Sequence, residues 1–261
     1  MKQITFINSF QSEWLKRKRS LAAWLVVVGA FFTPSIILLV RIKGRRALPV
    51  LNLAPDFWQK LWTTTWESMA VILLPVGIIM ATGLITQLEF KNTAWKQLHT
   101  TPQAYTTIFF AKLSVILVMM VELFILFNLG MCLSAIIPSI IFHDVPMPTA
   151  PIPYKFFLKG NINYFIDCLP VLALQYLISL QFKNFLVPIG VGFIIWVLGI
   201  GMVSWQHSYV FPYVHSSIDF LISSGHLKRE MPLNLQLLAA IYFTVFTISG
   251  WVLYVTKRDK G

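Results

Sequence analysis

Acidic side chains and cysteine are what this sequence has least of. Ten Asp and Glu stand among 261 residues against 21 Lys and Arg, and charged residues together make 12% of the chain. An ordinary soluble domain carries about 25%. Cys132 and Cys168 show no CxxC spacing and no neighbouring His cluster, which excludes a thiolate metal site and leaves them as packing residues. His99, His143, His207, His215 and His226 never form HExxH, and no paired-glutamate pattern occurs, so a zinc or acid–base hydrolase is excluded and no catalytic or metal-ligating residue is expected. GxxxxGK[ST] is missing too. The nearest glycine with basic neighbours, IKGRRAL at 42–48, has neither the glycine spacing nor a Lys followed by Ser or Thr. The chain therefore has no loop to cradle ATP.

What it does have is apolar length. With 57% hydrophobic residues and a mean hydropathy of +0.71, it reads as an integral membrane protein. Crossing the hydrocarbon takes about 20 predominantly apolar residues per helix, and six runs qualify: 20–41, 66–88, 107–133, 161–181, 185–206 and 235–255. The fold expected is all-α, one transmembrane domain over 1–261. No cleavable signal peptide is expected, because residues 1–19 are polar and amphipathic and the first run is too long for a signal core. The basic residues lie at run ends and form no soluble basic domain, so nucleic acid is not an expected partner.

Orientation follows from those flanking charges. With the N-terminus inside, twelve fall on the cytoplasmic side (Lys2, Lys16, Arg17, Lys18, Arg19, Lys91, Lys96, Lys112, Lys183, Lys257, Arg258, Lys260) and nine outside. The cluster Arg41, Lys43, Arg45 and Arg46 after the first run opposes this assignment, but the stronger block precedes that run. A multi-pass protein of the plasma or inner membrane with both termini cytoplasmic is the expectation.

Ahead of the first run, Phe6, Phe10 and Trp14 recur every four residues with Ile7 and Leu15 beside them, in a stretch ending EWLKRKRS. A helix there would lie in the membrane interface as an elbow, its basic block toward anionic lipid headgroups. Between the second and third runs stands EFKNTAWKQLHTTPQAYTTIFFAKL at 89–113. Asn92 or Thr93 can cap a short helix, Ala94, Trp95 and Leu98 line one side of it, and Pro102 ends it. Physics alone permits two roles: a chain reversal with an interfacial tryptophan, or a two-turn helix presenting an aromatic knob.

The pattern Glu89, Lys91, Asn92, Trp95, Lys96, Leu98, Pro102, then Lys112 and Leu113, resembles the cytoplasmic segment of type 2 ATP-binding cassette permeases, in particular the lantibiotic and bacitracin protection branch. The elbow and the six-run layout resemble that family over essentially the whole chain. The resemblance implies that the segment is a coupling helix, with Glu89, Asn92, Trp95, Leu98 and Pro102 meeting an ATP-binding cassette ATPase subunit. It implies further that ATP and Mg are bound by that partner and no cofactor by this chain. A second permease copy or a sister permease would complete the route, and the cargo would be an amphipathic substrate of the peptide-antibiotic type. Alternatives are ATP-driven export of a lipid-linked or other hydrophobic compound, and an ion-coupled transporter. For the latter Pro75, Pro170 and Pro188 offer kinks, but no internal repeat supports them.

Charges inside the runs stand out, since a carboxylate at a helix centre costs about 2.5 to 3.5 kcal/mol on insertion. Glu122, in MMVELFIL, is the deepest, and Asp167 lies inside the fourth run. Both are candidates for the wall of a substrate route toward the outer half, or for interhelical hydrogen bonds. In the fifth run Gly192 and Gly199 share one helix face and Gly190 and Gly201 share another, a pattern for close helix packing. The stretch HSYVFPYVHSSIDFLISSGHLKREM is too long for a turn and too apolar to float, so short re-entrant or interfacial helices are expected there.

Overall fold

Among the described residues, five helical runs are long and apolar enough to cross a membrane: Leu21–Lys43, Phe57–Gln87, Tyr105–Ile141, Tyr154–Gln181 and Leu235–Thr256. The computed structural model describes residues 6–18, 20–91, 104–229 and 231–256, and among these every regular element is a helix. Only helices satisfy all their backbone groups internally in hydrocarbon, which is why apolar composition and helix coincide.

Helix α1 spans Phe6–Lys18 and α2 Leu21–Lys43. Ser20 joins them, its hydroxyl donating to the Arg17 carbonyl at 2.7 Å. Short helix α3, Leu48–Asn52, follows. The second run, expected over 66–88, starts earlier, because α4 already begins at Phe57 and runs to Ser68. Its Trp58, Trp62 and Trp66 recur every four residues and all face inward, so the second run gains a helical extension that hydropathy averaging misses.

Between α4 and α5 (Leu74–Lys91) lies one π-helical stretch, Met69–Leu73. Pro75 explains it: without an N–H, it leaves the carbonyls four and five residues back with no helical donor. Other elements fill both places. The Trp196 indole N–H donates to Val71 O at 3.2 Å and the Ser216 hydroxyl to Ala70 O at 2.8 Å.

Helix α6 spans Tyr105–Ile141 and α7 Tyr154–Gln181, longer than hydropathy indicated at the end where α6 stops and α7 starts. Asn52 braces that end, accepting from Arg41 at 2.7 Å and donating to Pro146 O at 2.8 Å. The fifth run is the larger difference. Expected over 185–206, it forms α8, Leu186–Gly201, of 16 residues, about 24 Å at 1.5 Å per residue against a core of about 30 Å. Its end is set by Gly199 and Gly201: the Met202 N–H folds back onto the Leu198 and Gly199 carbonyls, and tight turns follow. Two 3-10 turns, Ser208–Val210 and Pro212–Val214, lead into α9, His215–Ser223, and α10 covers Leu235–Thr256.

Packing runs α2 along α6, α10 along α7, α5 between α7 and α8, α1 onto α6, and α9 onto α7 and the π-helical stretch. The tryptophan ladder of α4 is the centre of the core. Trp62 stacks on Phe157 with ring centroids 4.6 Å apart and Trp66 on Tyr164 at 4.5 Å. Lipid tails are as apolar as these rings, so the ladder stabilises through close-packed dispersion rather than transfer from water. Gly192 and Gly199 provide the close approaches expected of them: a Cβ on Gly192 would stand 2.4 Å from Gln175 Oε1, and one on Gly199 2.8 Å from a Val214 methyl. The other face, Gly190 and Gly201, is open.

Candidate functional site

One pole of the molecule gathers α1, the start of α6 and the end of α10. Trp251, near the end of α10, donates its indole N–H to Thr106 Oγ1 at 3.1 Å, and α1 lies against α6 close by. Helix α5 ends at Lys91 and α6 begins at Tyr105, so the intervening chain leaves from and returns to this pole.

The way α1 is held departs from its aromatic pattern. Phe10 and Trp14 pack against the core while Phe6 is exposed. The stripe turned wholly inward is polar, Ser9, Glu13 and Arg17 at four-residue spacing. Glu13 pairs with Lys16 on its own helix and with Lys112 of α6 at 3.4 Å. Arg17 forks onto Glu122: one nitrogen lies 3.0 Å from Oε1, the other pairs with Oε2, and the guanidinium also sits 4.2 Å from the Trp14 ring centroid. A planar fork on a carboxylate, stacked on an indole, is what Arg does and Lys does not. Arg17, expected with its neighbours at lipid headgroups, is thus drawn inward by a carboxylate of the third membrane run.

Burial, the largest influence, pushes the Glu13 carboxyl up, yet Lys112 and Lys16 together outweigh it and hold the group below its ordinary 4.5. A depressed carboxyl contributes stability that is present above the unfolded value and lost as pH falls through the lower folded one. Acidification through and below 4.5 is therefore expected to loosen α1, and Glu13→Gln to remove that pH dependence. Limited proteolysis at α1 across pH checks it; identical profiles for parent and variant would contradict the assignment.

Glu89 lies in the last turn of α5, and Asn92, Trp95, Leu98 and Pro102 lie outside the described residues. Glu122 and Asp167 sit at one level of the antiparallel pair α6 and α7, as the neighbouring contacts Phe124 with Phe165 and Asn128 with Asn161 show. They face different partners. Glu122 meets Arg17, whereas Asp167 is fully buried toward α9, where it faces Asp219.

That second region is held by buried polar links. Gln175 of α7 donates to Pro188 O of α8 and accepts from the Tyr213 hydroxyl, both at 2.7 Å. His215 binds the Tyr209 carbonyl at 2.7 Å, and burial pushes its pKa down to about 4, so a neutral ring donates that bond. The expectation of short helices in the outer segment is met in α9; its buried polar face was not foreseen.

Sequence reasoning missed Glu13, Arg17, Lys112 and Asp219 as interacting residues. A faint signal for the first two existed in Glu13 with Lys16 and Arg17 three and four residues on, the spacing of helical ion pairs. Nothing in the sequence pointed to Lys112 or Glu122 as partners across 99 and 105 residues.

Compared with known proteins, residues 9–199 match the family model described as ABC-2 family transporter protein. No curated protein and no solved structure matches the chain.

Proposed function

The chain belongs to the ABC-2 family of transporter proteins, a multi-pass membrane permease, and from that premise we propose that it is one half of an ATP-driven exporter for an amphipathic substrate of the peptide-antibiotic type. ATP and Mg reside on a separate ATPase subunit, and a second copy or a sister permease completes the route. In this reading α8 serves as a sixth, short span, α1 is the interfacial elbow, both termini face the cytoplasm, and Glu89, Asn92, Trp95, Leu98 and Pro102 form the coupling contact.

One observation carries the reading: the chain between Lys91 and Tyr105 emerges at the pole where α6 is ion-paired to α1. A push on that segment enters α6, and the pairs Glu13 with Lys112 and Arg17 with Glu122 oblige α1 to move with it. Helix α6 is 37 residues long and carries the displacement to the level of Glu122, where Asp167 stands on the adjoining helix. Asp167 is retained as part of the route, and Glu122 is given the positioning of α1.

The decisive experiment is copurification of the tagged chain from its native membrane. An associated ATPase subunit with a phosphate loop is the expected result, and the chain purified without it is expected to hydrolyse no ATP. Turnover by the partner-free chain, or transport abolished by collapsing the ion gradient and unaffected by loss of the ATPase, would overturn the proposal.

A further inference from the structure

Two carboxyls, on α7 and α9, face each other, and a single cation among the described residues acts on one of them. Asp167 of α7 is 0% exposed, and apart from one facing carboxyl its oxygens have no hydrogen-bond partner among the described residues. It faces the carboxyl of Asp219 on α9. The cation acting on Asp219 is Lys159, exposed on α7, while Asn163 and Gln236 offer amides. Tyr164 and Cys168, both on α7, are the other titratable groups facing the pair. The buried Ser217 hydroxyl nearby on α9 also lacks a partner among the described residues. Polar groups buried this way normally have one.

Beside the pair opens a cavity of about 330 Å³ between α4, α7 and α9, lined among others by Trp62, Phe156, Lys159, Asn163, Tyr164 and Asp219. Its size is at the small end of ligand pockets, right for one polar head group with a short apolar stem. The walls are aromatic, and ring faces attract cations most strongly where water is excluded. Gly160 keeps the space shaped, since a Cβ there would stand 2.6 Å from the Trp62 ring. An anion would be repelled by two carboxyls. No group of three or more His, Cys, Asp or Glu that could hold a metal ion occurs among the described residues.

We propose that this cavity binds a primary ammonium group, received by the Asp167–Asp219 pair in exchange for one proton and stacked against the Trp62 and Tyr164 rings. With the cavity empty, two carboxyls and the Lys159 ammonium balance when the pair holds one proton. An entering ammonium brings the second positive charge, the shared O–H bond breaks, and the proton leaves to solvent, so net charge is conserved. Burial, which raises the Asp219 carboxyl above its ordinary range, agrees with a pair that holds a proton until a cation replaces it. Asp167 is shared with the proposed route, but binding here does not rest on that reading, and its test reads binding alone. The same head group occurs on free alkylamines and on amine-headed lipids, and the test separates these sources.

The probe is hexylammonium chloride, titrated onto the full chain in nonionic detergent. Tryptophan fluorescence reads binding, and a pH indicator in weak buffer reads proton release. Expected are saturable binding, close to one proton released per amine bound, and no effect of hexanol. Asp219→Asn is expected to weaken binding about 10- to 100-fold, as loss of a charge-assisted hydrogen bond does, and to abolish proton release. Lys159→Gln removes an exposed competing cation, so it folds independently of this question and is expected to bind about tenfold more tightly. Hexanol binding as well as the amine, unchanged affinity in both variants, or binding without proton release would each overturn the site. In nanodiscs, competition by phosphatidylethanolamine but not phosphatidylcholine assigns the site to lipid head groups; equal binding in both assigns it to free amines.

Discussion

Arg17→Glu is expected to detach α1 from α6, and Glu122→Arg in the same chain to bring it back. In the parent protein Arg17 is nearly buried and its fork is matched by both Glu122 oxygens. Truncating one partner of such a pair typically costs 2 to 5 kcal/mol, because the other charge is left buried and uncompensated. The Glu122 side chain is 32% exposed, which places simple removal toward the lower end, about 2 kcal/mol. Reversal does more, since it sets two carboxylates face to face where the dielectric is low. A cysteine at Ser9, a residue only 3% exposed in the intact packing, reports the change. Maleimide labelling is expected to be slow in the parent, fast in Arg17→Glu, and slow again in the double variant. Equal rates in all three would mean that the pair does not hold α1. The double variant matters because rescue by exchange cannot come from general misfolding.

Trp95→Ala is expected to abolish coupled transport while leaving membrane insertion intact. Trp95 lies outside the described residues, and its place in the chain between α5 and α6 of an ABC-2 family protein motivates the expectation. Large aromatics at the centre of an interface are hot spots whose truncation often costs 2 kcal/mol or more, at least about a thirtyfold loss of affinity. No membrane run is altered by the change, which is why expression should survive. Lys96→Ala is expected to do less, because an exposed charge at an interface rim is worth under about 1 kcal/mol. Copurification of the ATPase subunit and substrate-dependent transport are the two readouts. If Trp95→Ala kept both at parental level, the segment would be a chain reversal with an interfacial tryptophan, and coupling would have to be sought elsewhere at that pole.

Much of the architecture was legible in the residues alone. Long apolar runs, a basic amphipathic stretch ahead of the first, and the absence of a phosphate loop are local properties, and hydrocarbon admits one solution to a long apolar run, the helix. Each of the five long helices followed to within a few residues at one end or both. The second run was misjudged at its start because Thr63, Thr64 and Thr65 depress its hydropathy while the three tryptophans beside them carry the packing. The short α8 and the π-helical stretch were hidden for a different reason. The first ends where the Met202 N–H turns back onto the Leu198 and Gly199 carbonyls, and the second depends on carbonyls freed by Pro75 finding the donors Trp196 and Ser216 on other elements.

Hydropathy and periodicity could say that Glu122 and Asp167 are costly where they stand, but not which group meets each. That choice belongs to helix packing, which sets α1 against α6 and α9 against α7. A charge in a low-dielectric interior takes whatever compensation comes within a few ångströms, and no local pattern records it. The sequence by itself determined a helical membrane chain whose residues hold no GxxxxGK[ST] motif. Only the tertiary structure decided that one carboxylate has a guanidinium while the other faces a second acid, because partners far apart in the chain meet only once the helices have packed.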